Sequence, residues 1–140
     1  MSSILKSSDA ARLALHAAVR LGQEPGTRQS VGAMAREFGV SAAHLAKVLG
    51  RLERAGLVLG TRGPAGGYVL ARPARLVSLA QVFEAVEGPL SDRRCPFDVP
   101  VCDGNGCLLG GYFRVLNRKA AAKLNRTKLS NVHLKLGGKK

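Results

Sequence analysis

The chain has 140 residues and a formal net charge of +13, because 22 lysines and arginines stand against 9 acidic residues. This length allows one domain with an apolar core, and the charge favours a polyanionic partner, either nucleic acid or an anionic membrane surface. No apolar run approaches the roughly 20 residues of a membrane-spanning helix, and Asp9 and Arg12 interrupt any apolar core of a signal peptide. We therefore expect a cytoplasmic protein with no membrane partner, in which thiols stay reduced.

The first predicted element is an amphipathic helix over residues 9–21, where apolar or small side chains recur at i, i+3 and i+4 spacing. Its opposite face is polar and consists of Asp9, Arg12, His16 and Arg20. Gly22 is expected to end the helix, and the Pro-Gly pair at 25–26 predicts a loop after it.

Residues 30–58 predict two helices in quick succession. Ser30 and Ser41 are the expected N-caps, and Gly39 and Gly56 are expected to end the two helices. The joint between them has the pattern of a helix-turn-helix, with a small residue at the helix crossing, a glycine that tolerates positive φ, and apolar anchors beyond it. These joint residues are Ala35, Gly39, Val40 and Leu45.

The second of these helices is the predicted DNA-reading helix. Val48, Leu49 and Leu52 continue its buried face, so the remaining positions point outward. Small side chains near its N-terminus permit close approach to base edges in the major groove, and the basic side chains further along suit phosphate. The predicted DNA-contacting residues of this helix are Ser41, Ala42, Ala43, His44, Lys47 and Arg51.

Two β-rich runs, residues 57–61 and 67–71, flank a cluster of glycine and proline and predict a hairpin. A helix-turn-helix followed by such a hairpin is a winged helix, in which Arg62 at the wing tip would face phosphate or a narrow minor groove. Tyr68, in the second strand, is also a predicted DNA-binding residue. The alternative for the glycines is a flexible loop without a partner.

Two further helices are predicted after the wing. Ser78 and Gln81 form a capping box at the start of the first, which ends at Gly88 and Pro89. Its core-facing stripe is Leu79, Val82, Phe83 and Val86. The second helix runs over residues 112–129, and its apolar face is Phe113, Leu116, Ala120 and Leu124. Because a completed winged domain has little core left to cover, we expect this helix to pair with a second chain; packing on its own domain is the alternative.

The predicted fold class is therefore mainly α with a small β-hairpin wing. The predicted regions are a winged helix-turn-helix DNA-binding domain at 1–90, a cysteine-containing cluster loop at 91–111, a dimerisation helix region at 112–132 and a basic flexible tail at 133–140. A homodimer would place two reading helices about 34 Å apart, one turn of double-stranded DNA, on a palindromic operator.

All three cysteines, Cys95, Cys102 and Cys107, lie in one stretch with the spacing C-x6-C-x4-C. Soft thiolates select zinc or an iron–sulfur cluster. Structural zinc typically uses paired C-x2-4-C knuckles, and neither interval here forms a clean set of them. The spacing favours an iron–sulfur cluster, and zinc, a thiol-based redox switch and no metal stay open as alternatives.

Other function classes fit less well. A basic RNA-binding or structural protein would explain the charge but not the wing, and the chain has only two Tyr, four Phe and no Trp for base stacking. No paired nucleophile and base, phosphate loop or paired carboxylates indicate an enzyme, so we expect none.

The ordered set of motifs resembles the Rrf2 family of bacterial transcription regulators, which includes iron–sulfur regulators and a nitric-oxide sensor. The resemblance covers about residues 4–131. It is carried by the helix-turn-helix at 30–55, RLERAGLV at 51–58, RGPAGGYVLARP at 62–73, VSLAQVFEAVEGP at 77–89, and the cysteine triplet with its following helix.

The resemblance implies a homodimeric regulator with one [2Fe-2S] or [4Fe-4S] cluster per protomer, held by Cys95, Cys102 and Cys107. Its operator affinity would be controlled by the cluster, which senses redox, nitric oxide or iron status; the alternative is a thiol-based redox-responsive regulator without a cluster. Arg12 occupies the place of a ligating carboxylate in some relatives and cannot bind iron. His16 matches a position where a relative uses histidine, which makes it the candidate fourth ligand.

Overall fold

The computed structural model describes residues 7–90, 101, 109 and 111–135. That part of the chain forms five helices, one hairpin and two short 3₁₀ turns. The helices are α1 (Asp9–Gln23), α2 (Val31–Phe38), α3 (Ala42–Arg54), α4 (Leu79–Glu87) and α5 (Tyr112–Arg126); the antiparallel strands are β1 (Val58–Thr61) and β2 (Gly67–Leu70), and the 3₁₀ turns are Ala74–Leu76 and Leu129–Asn131. The predicted fold class, mainly helical with a hairpin wing, is confirmed.

The predicted caps of the helix-turn-helix are confirmed. The Ser30 hydroxyl accepts a hydrogen bond from the Ala33 amide, and the Ser41 hydroxyl accepts one from the His44 amide. Gly39 follows α2 with a φ of 66°, a left-handed conformation that a residue without Cβ adopts at little cost. The chain can therefore turn sharply between α2 and α3.

The predicted end of α1 at Gly22 is wrong, because the helix continues to Gln23. A single glycine inside a helix costs only about 1 kcal/mol, and here it lets the side chains of Leu70 and Ala74 approach closely. Pro25 supplies the stronger signal, since the residue before a proline is disfavoured in the helical region.

One apolar core joins α1, α3 and α4 to the base of the wing. Its fully buried side chains include Leu45, Leu49 and Leu52 of the predicted reading helix, as the periodicity indicated. Of the predicted α4 stripe, Val82 is fully buried and the other three members are half-buried. Arg20 of α1 donates to Glu37 of α2 at 3.0 Å, and this hydrogen bond raises the pKa of Arg20 above its usual value.

The helix predicted over residues 112–129 ends at Arg126, and the chain then returns to the winged domain. The Leu79 amide donates to the Thr127 carbonyl and the Leu129 amide donates to the Val77 carbonyl, both at 2.9 Å. Leu129 is buried in the core. The predicted region 112–132 thus contains both α5 and a segment that completes the winged-helix core.

None of the residues of α5 is buried. The helix contacts α4 on one side, whereas Tyr112 and Val115 are about half exposed, at 54% and 49%. On the predicted apolar face Phe113, Leu116 and Leu124 are half-buried and Ala120 is exposed.

Candidate nucleic-acid interface and cysteine segment

The six predicted DNA-contacting residues from Ser41 to Arg51 are all exposed in the structure, whereas Leu45, Leu49 and Leu52 of the same segment are buried. At its N-terminus the helix presents Ala42, Ala43 and His44, and the cap provided by Ser41 orders this first turn. Entry of this end of the helix into a major groove, with the small Ala42 and Ala43 side chains close to base edges, stays a prediction.

Lys47 and Arg51 lie further along the same exposed face. The Arg51 guanidinium donates to the Val86 carbonyl at 3.5 Å, near the end of α4, where helix carbonyls carry partial negative charge. Arg51 therefore has a contact within the protein as well as an exposed side chain. Its predicted contact with phosphate stays a prediction, as does that of Lys47.

In the wing, β1 and β2 pair with Gly60 opposite Tyr68 and Thr61 opposite Gly67. Arg62 is exposed and directly follows β1, at the tip of the hairpin. Tyr68 is half-buried and packs against the core. Burial and the charge of Glu53 raise the pKa of Tyr68 above its usual value, and the charge of Arg62 partly opposes them. A DNA contact from Tyr68 stays a prediction.

Two residues that we did not predict hold the wing in place. Glu53, on the last turn of α3, accepts a hydrogen bond from the Gly60 amide at 3.2 Å. Gln29, just before α2, forms a bridge with Tyr68 through two backbone hydrogen bonds of 3.0 and 2.9 Å. One feature of the sequence could have drawn attention to Glu53: it is the single acidic residue in α3.

The cysteine segment, residues 91–111, contains the three predicted metal ligands Cys95, Cys102 and Cys107, which lie outside the described residues. In the described residues the structure shows no group of three or more His, Cys, Asp or Glu side chains that could hold a metal ion. The segment follows α4 and precedes α5, and these two helices contact each other.

His16, the candidate fourth ligand, is exposed on α1. Its Nδ1 lies 2.6 Å from the Arg12 carbonyl oxygen, which can only accept, so Nδ1 carries the proton. The His16 and Phe38 rings lie at 74° to each other with a centroid distance of 6.4 Å. This arrangement leaves the lone pair of Nε2 for another partner, as in metal-bound histidines whose second nitrogen donates to a carbonyl. Arg12 itself pairs with Asp9.

The family model for Rrf2, described as an iron-dependent transcriptional regulator, matches residues 7–133. The chain belongs to the Rrf2 family. It is accordingly a transcriptional regulator rather than an enzyme, as its sequence predicted.

Several Rrf2 relatives resemble the chain. It is 32% identical over 102 residues to an HTH-type transcriptional regulator of Neisseria meningitidis serogroup A, covering 73% of this chain and 69% of that one. It is also 32% identical over 94 residues to the regulator IscR of Yersinia pestis, covering 67% of this chain and 57% of IscR. The chain therefore matches little more than half the length of IscR.

Solved Rrf2 structures share the fold. CymR, the global cysteine regulator of Bacillus subtilis, superposes with a TM-score of 0.75 at 25% identity, over 91% of this chain and 95% of CymR. The IscR of T. potens superposes with a TM-score of 0.70 at 25% identity, over 91% of this chain and 85% of that one. Among the described helices, none is both long and apolar enough to cross a membrane.

Replacing Lys47 with alanine in this Rrf2 regulator is expected to weaken binding to every DNA sequence by a similar factor. If Lys47 neutralises one phosphate per subunit, the slope of log K against log salt should flatten by about one unit for each bound subunit. Fluorescence anisotropy on labelled duplexes between about 50 and 200 mM salt measures this salt dependence of the binding constant. Lys119→Ala on α5, an exposed lysine with no predicted DNA contact, is the control. An unchanged slope for Lys47→Ala would remove the phosphate role.

Proposed function

We propose that this Rrf2 regulator is a homodimer that binds a palindromic operator in the cytoplasm, with an affinity set by an iron–sulfur cluster on Cys95, Cys102 and Cys107. The observation that carries the proposal is the position of the cysteine segment. It connects α4, which packs on α1 and α3 of the DNA-reading domain, to α5, a helix without a buried residue. A ligand held by this segment would therefore act between the reading domain and the proposed dimer contact.

The available donors fit an iron–sulfur cluster of the [2Fe-2S] or [4Fe-4S] type. Three thiols are soft ligands in a chain with no other cysteine. His16 adds an imidazole whose Nδ1 proton is fixed by the Arg12 carbonyl, so that Nε2 would be the ligating atom. Three thiolates with a different fourth ligand leave one weaker position, and a bound cluster would supply a centre that redox change, nitric oxide or iron shortage can alter. The likeness to the IscR sequences supports this assignment.

Contacts around the C-terminal end of α4 support a coupling between the cysteine segment and the proposed DNA-reading helix α3. Arg51 of α3 donates to the Val86 carbonyl, only two residues before Gly88. On the other side, the Ser8 hydroxyl at the start of α1 donates to the Glu87 carboxylate. A shift of the C-terminal end of α4 would therefore change its hydrogen bonds to both α3 and the start of α1. Coupling of this kind is typically 1–3 kcal/mol, or roughly tenfold to a hundredfold in affinity.

The exposed face of α5 supports the proposed homodimer. Tyr112 and Val115 are large apolar side chains at 54% and 49% exposure. Large exposed apolar groups on one helix are typical of a surface that another chain covers. A symmetric dimer through this face would match the two-fold symmetry of a palindromic operator.

The second candidate is a thiol-based switch without a cluster. It is favoured by the superposition on B. subtilis CymR, a cysteine regulator, over nearly the whole chain. In that case oxidation of the cysteine thiols themselves, and not iron chemistry, would change the affinity for DNA.

Purification without oxygen, followed by reconstitution with iron and sulfide, separates the two candidates. The cluster proposal expects a coloured protein with stoichiometric iron and sulfide and a changed affinity for DNA. A colourless, iron-free protein that responds to a thiol oxidant would establish the alternative. Zinc analysis of the same sample identifies a structural zinc site if one is present.

Replacing His16 with alanine tests the fourth ligand separately. The variant is expected to keep the three thiolates and take up iron, but to lose its visible absorption in air several times faster than the wild type. Loss of the contacts that orient a ligating imidazole typically costs 10–100-fold in metal affinity, so loss of the imidazole itself should have at least a comparable effect. His44→Ala, an exposed histidine on the DNA-facing helix, is the matched control. Equal decay in both variants would exclude His16 as a ligand.

A further inference from the structure

Glu53 is an acidic residue in a surface that otherwise carries positive charge. The exposed charged residues that precede and follow it on α3 are Lys47, Arg51 and Arg54. A carboxylate on a helix that approaches phosphates weakens binding to any DNA, because like charges repel. Its presence there calls for a compensating role.

The contacts of Glu53 are with the wing. Its Oε1 accepts from the Gly60 amide at 3.2 Å, and Gly60 lies opposite Tyr68 in the strand register. A Cβ at position 60 would lie 2.8 Å from Cε1 of Tyr68 and 3.3 Å from Oε2 of Glu53. The carboxylate and the tyrosine ring thus close around a backbone that has no room for a side chain.

The opposite strand of the wing is fixed to the start of the helix-turn-helix. Tyr68 exchanges two backbone hydrogen bonds with Gln29, the residue before the N-cap of α2. A Cβ on Gly67 would lie 2.5 Å from the Gln29 carbonyl oxygen, so the two chains are in close contact there. A two-stranded hairpin is marginally stable on its own. The wing therefore depends on these attachments for a defined direction.

We propose that Glu53 is a positioning residue for DNA recognition: its carboxylate ties the wing to the end of the reading helix, so that Arg62 and the N-terminus of α3 reach the operator in one fixed relation. Glu53 would thus reduce affinity for DNA in general and increase preference for the operator. The inference rests on the DNA-binding part of the proposed function and is independent of any cluster.

The test compares Glu53→Ala with Glu53→Gln, since both remove the charge and only glutamine keeps an oxygen that can accept from the Gly60 amide. The probes are the duplex that the wild type enriches from a random-sequence pool and a scrambled duplex of equal length. Both variants should bind the scrambled duplex at least as tightly as the wild type. Glu53→Gln should keep operator binding within about twofold, whereas Glu53→Ala should lose roughly tenfold, as expected for a hydrogen bond of about 1.4 kcal/mol.

Hydrogen exchange of the Gly60 amide gives a readout that a change in global stability does not mimic. Exchange should accelerate in Glu53→Ala and not in Glu53→Gln, while the buried Leu49 amide serves as the internal reference for global opening. Equal ratios of operator to scrambled affinity in the two variants, or unchanged exchange at Gly60, would overturn the inference. A wild type that enriches no duplex would instead refute the proposed function.

Discussion

Replacing Leu45 with alanine is expected to lower the free energy of unfolding by about 3 kcal/mol, within the 2–5 kcal/mol range for such changes in a core. Leu45 is fully buried in the first turns of α3, directly beyond the turn of the helix-turn-helix. Truncation removes apolar area from the core and leaves a cavity there. For a chain of this length the total stability is of the order of 7–21 kcal/mol. The loss expected for Leu45→Ala is therefore a substantial part of the total free energy of unfolding.

Urea unfolding followed by circular dichroism measures this loss. Leu76→Ala is the matched control, because it removes the same atoms from a side chain that is 53% exposed. We expect the control to cost less than about 1 kcal/mol, since little apolar area leaves the core. If the two variants were equally stable, Leu45 would not be the anchor of the helix-turn-helix that the structure describes.

Those parts of the fold that depend on neighbours in sequence could be predicted. Ser30, Ser41 and Gly39 act within one helical turn, so their capping roles follow from residue type and position alone. The buried face of α3 follows equally from its period, as Leu49 and Leu52 show. The same helical period places all the predicted DNA-contacting positions of α3 at exposed sites.

Contacts between residues distant in sequence could not be predicted in this way. The hydrogen bond from the Gly60 amide to Glu53 depends on how the wing folds back on α3. Thr127 and Leu129 read as the end of α5, but their backbone pairs with residues 77–79. In each case tertiary pairing decided the outcome.

Replacing Cys102 with alanine is expected to have the largest effect on regulation. With two thiolates left, the cysteine segment lacks the ligands for a stable cluster, so reconstituted protein should lose its visible absorption and most of its iron. The change in DNA affinity on reconstitution, roughly tenfold to a hundredfold in the wild type if coupling is of the usual size, should fall to about none. Absorption spectra, iron analysis and anisotropy on the same samples measure all of this.

The control for that experiment is His133→Ala, which removes an exposed imidazole for which we predict no role in metal binding. It should keep colour, iron and response. DNA binding by unreconstituted Cys102→Ala should match that of the unreconstituted wild type, because α3 and the wing, which carry the predicted DNA contacts, are unaltered. A Cys102→Ala protein that still takes up iron and still changes its DNA affinity would contradict the three-cysteine site. A colourless wild type whose response to a thiol oxidant is lost in the same variant would instead assign Cys102 to a thiol switch.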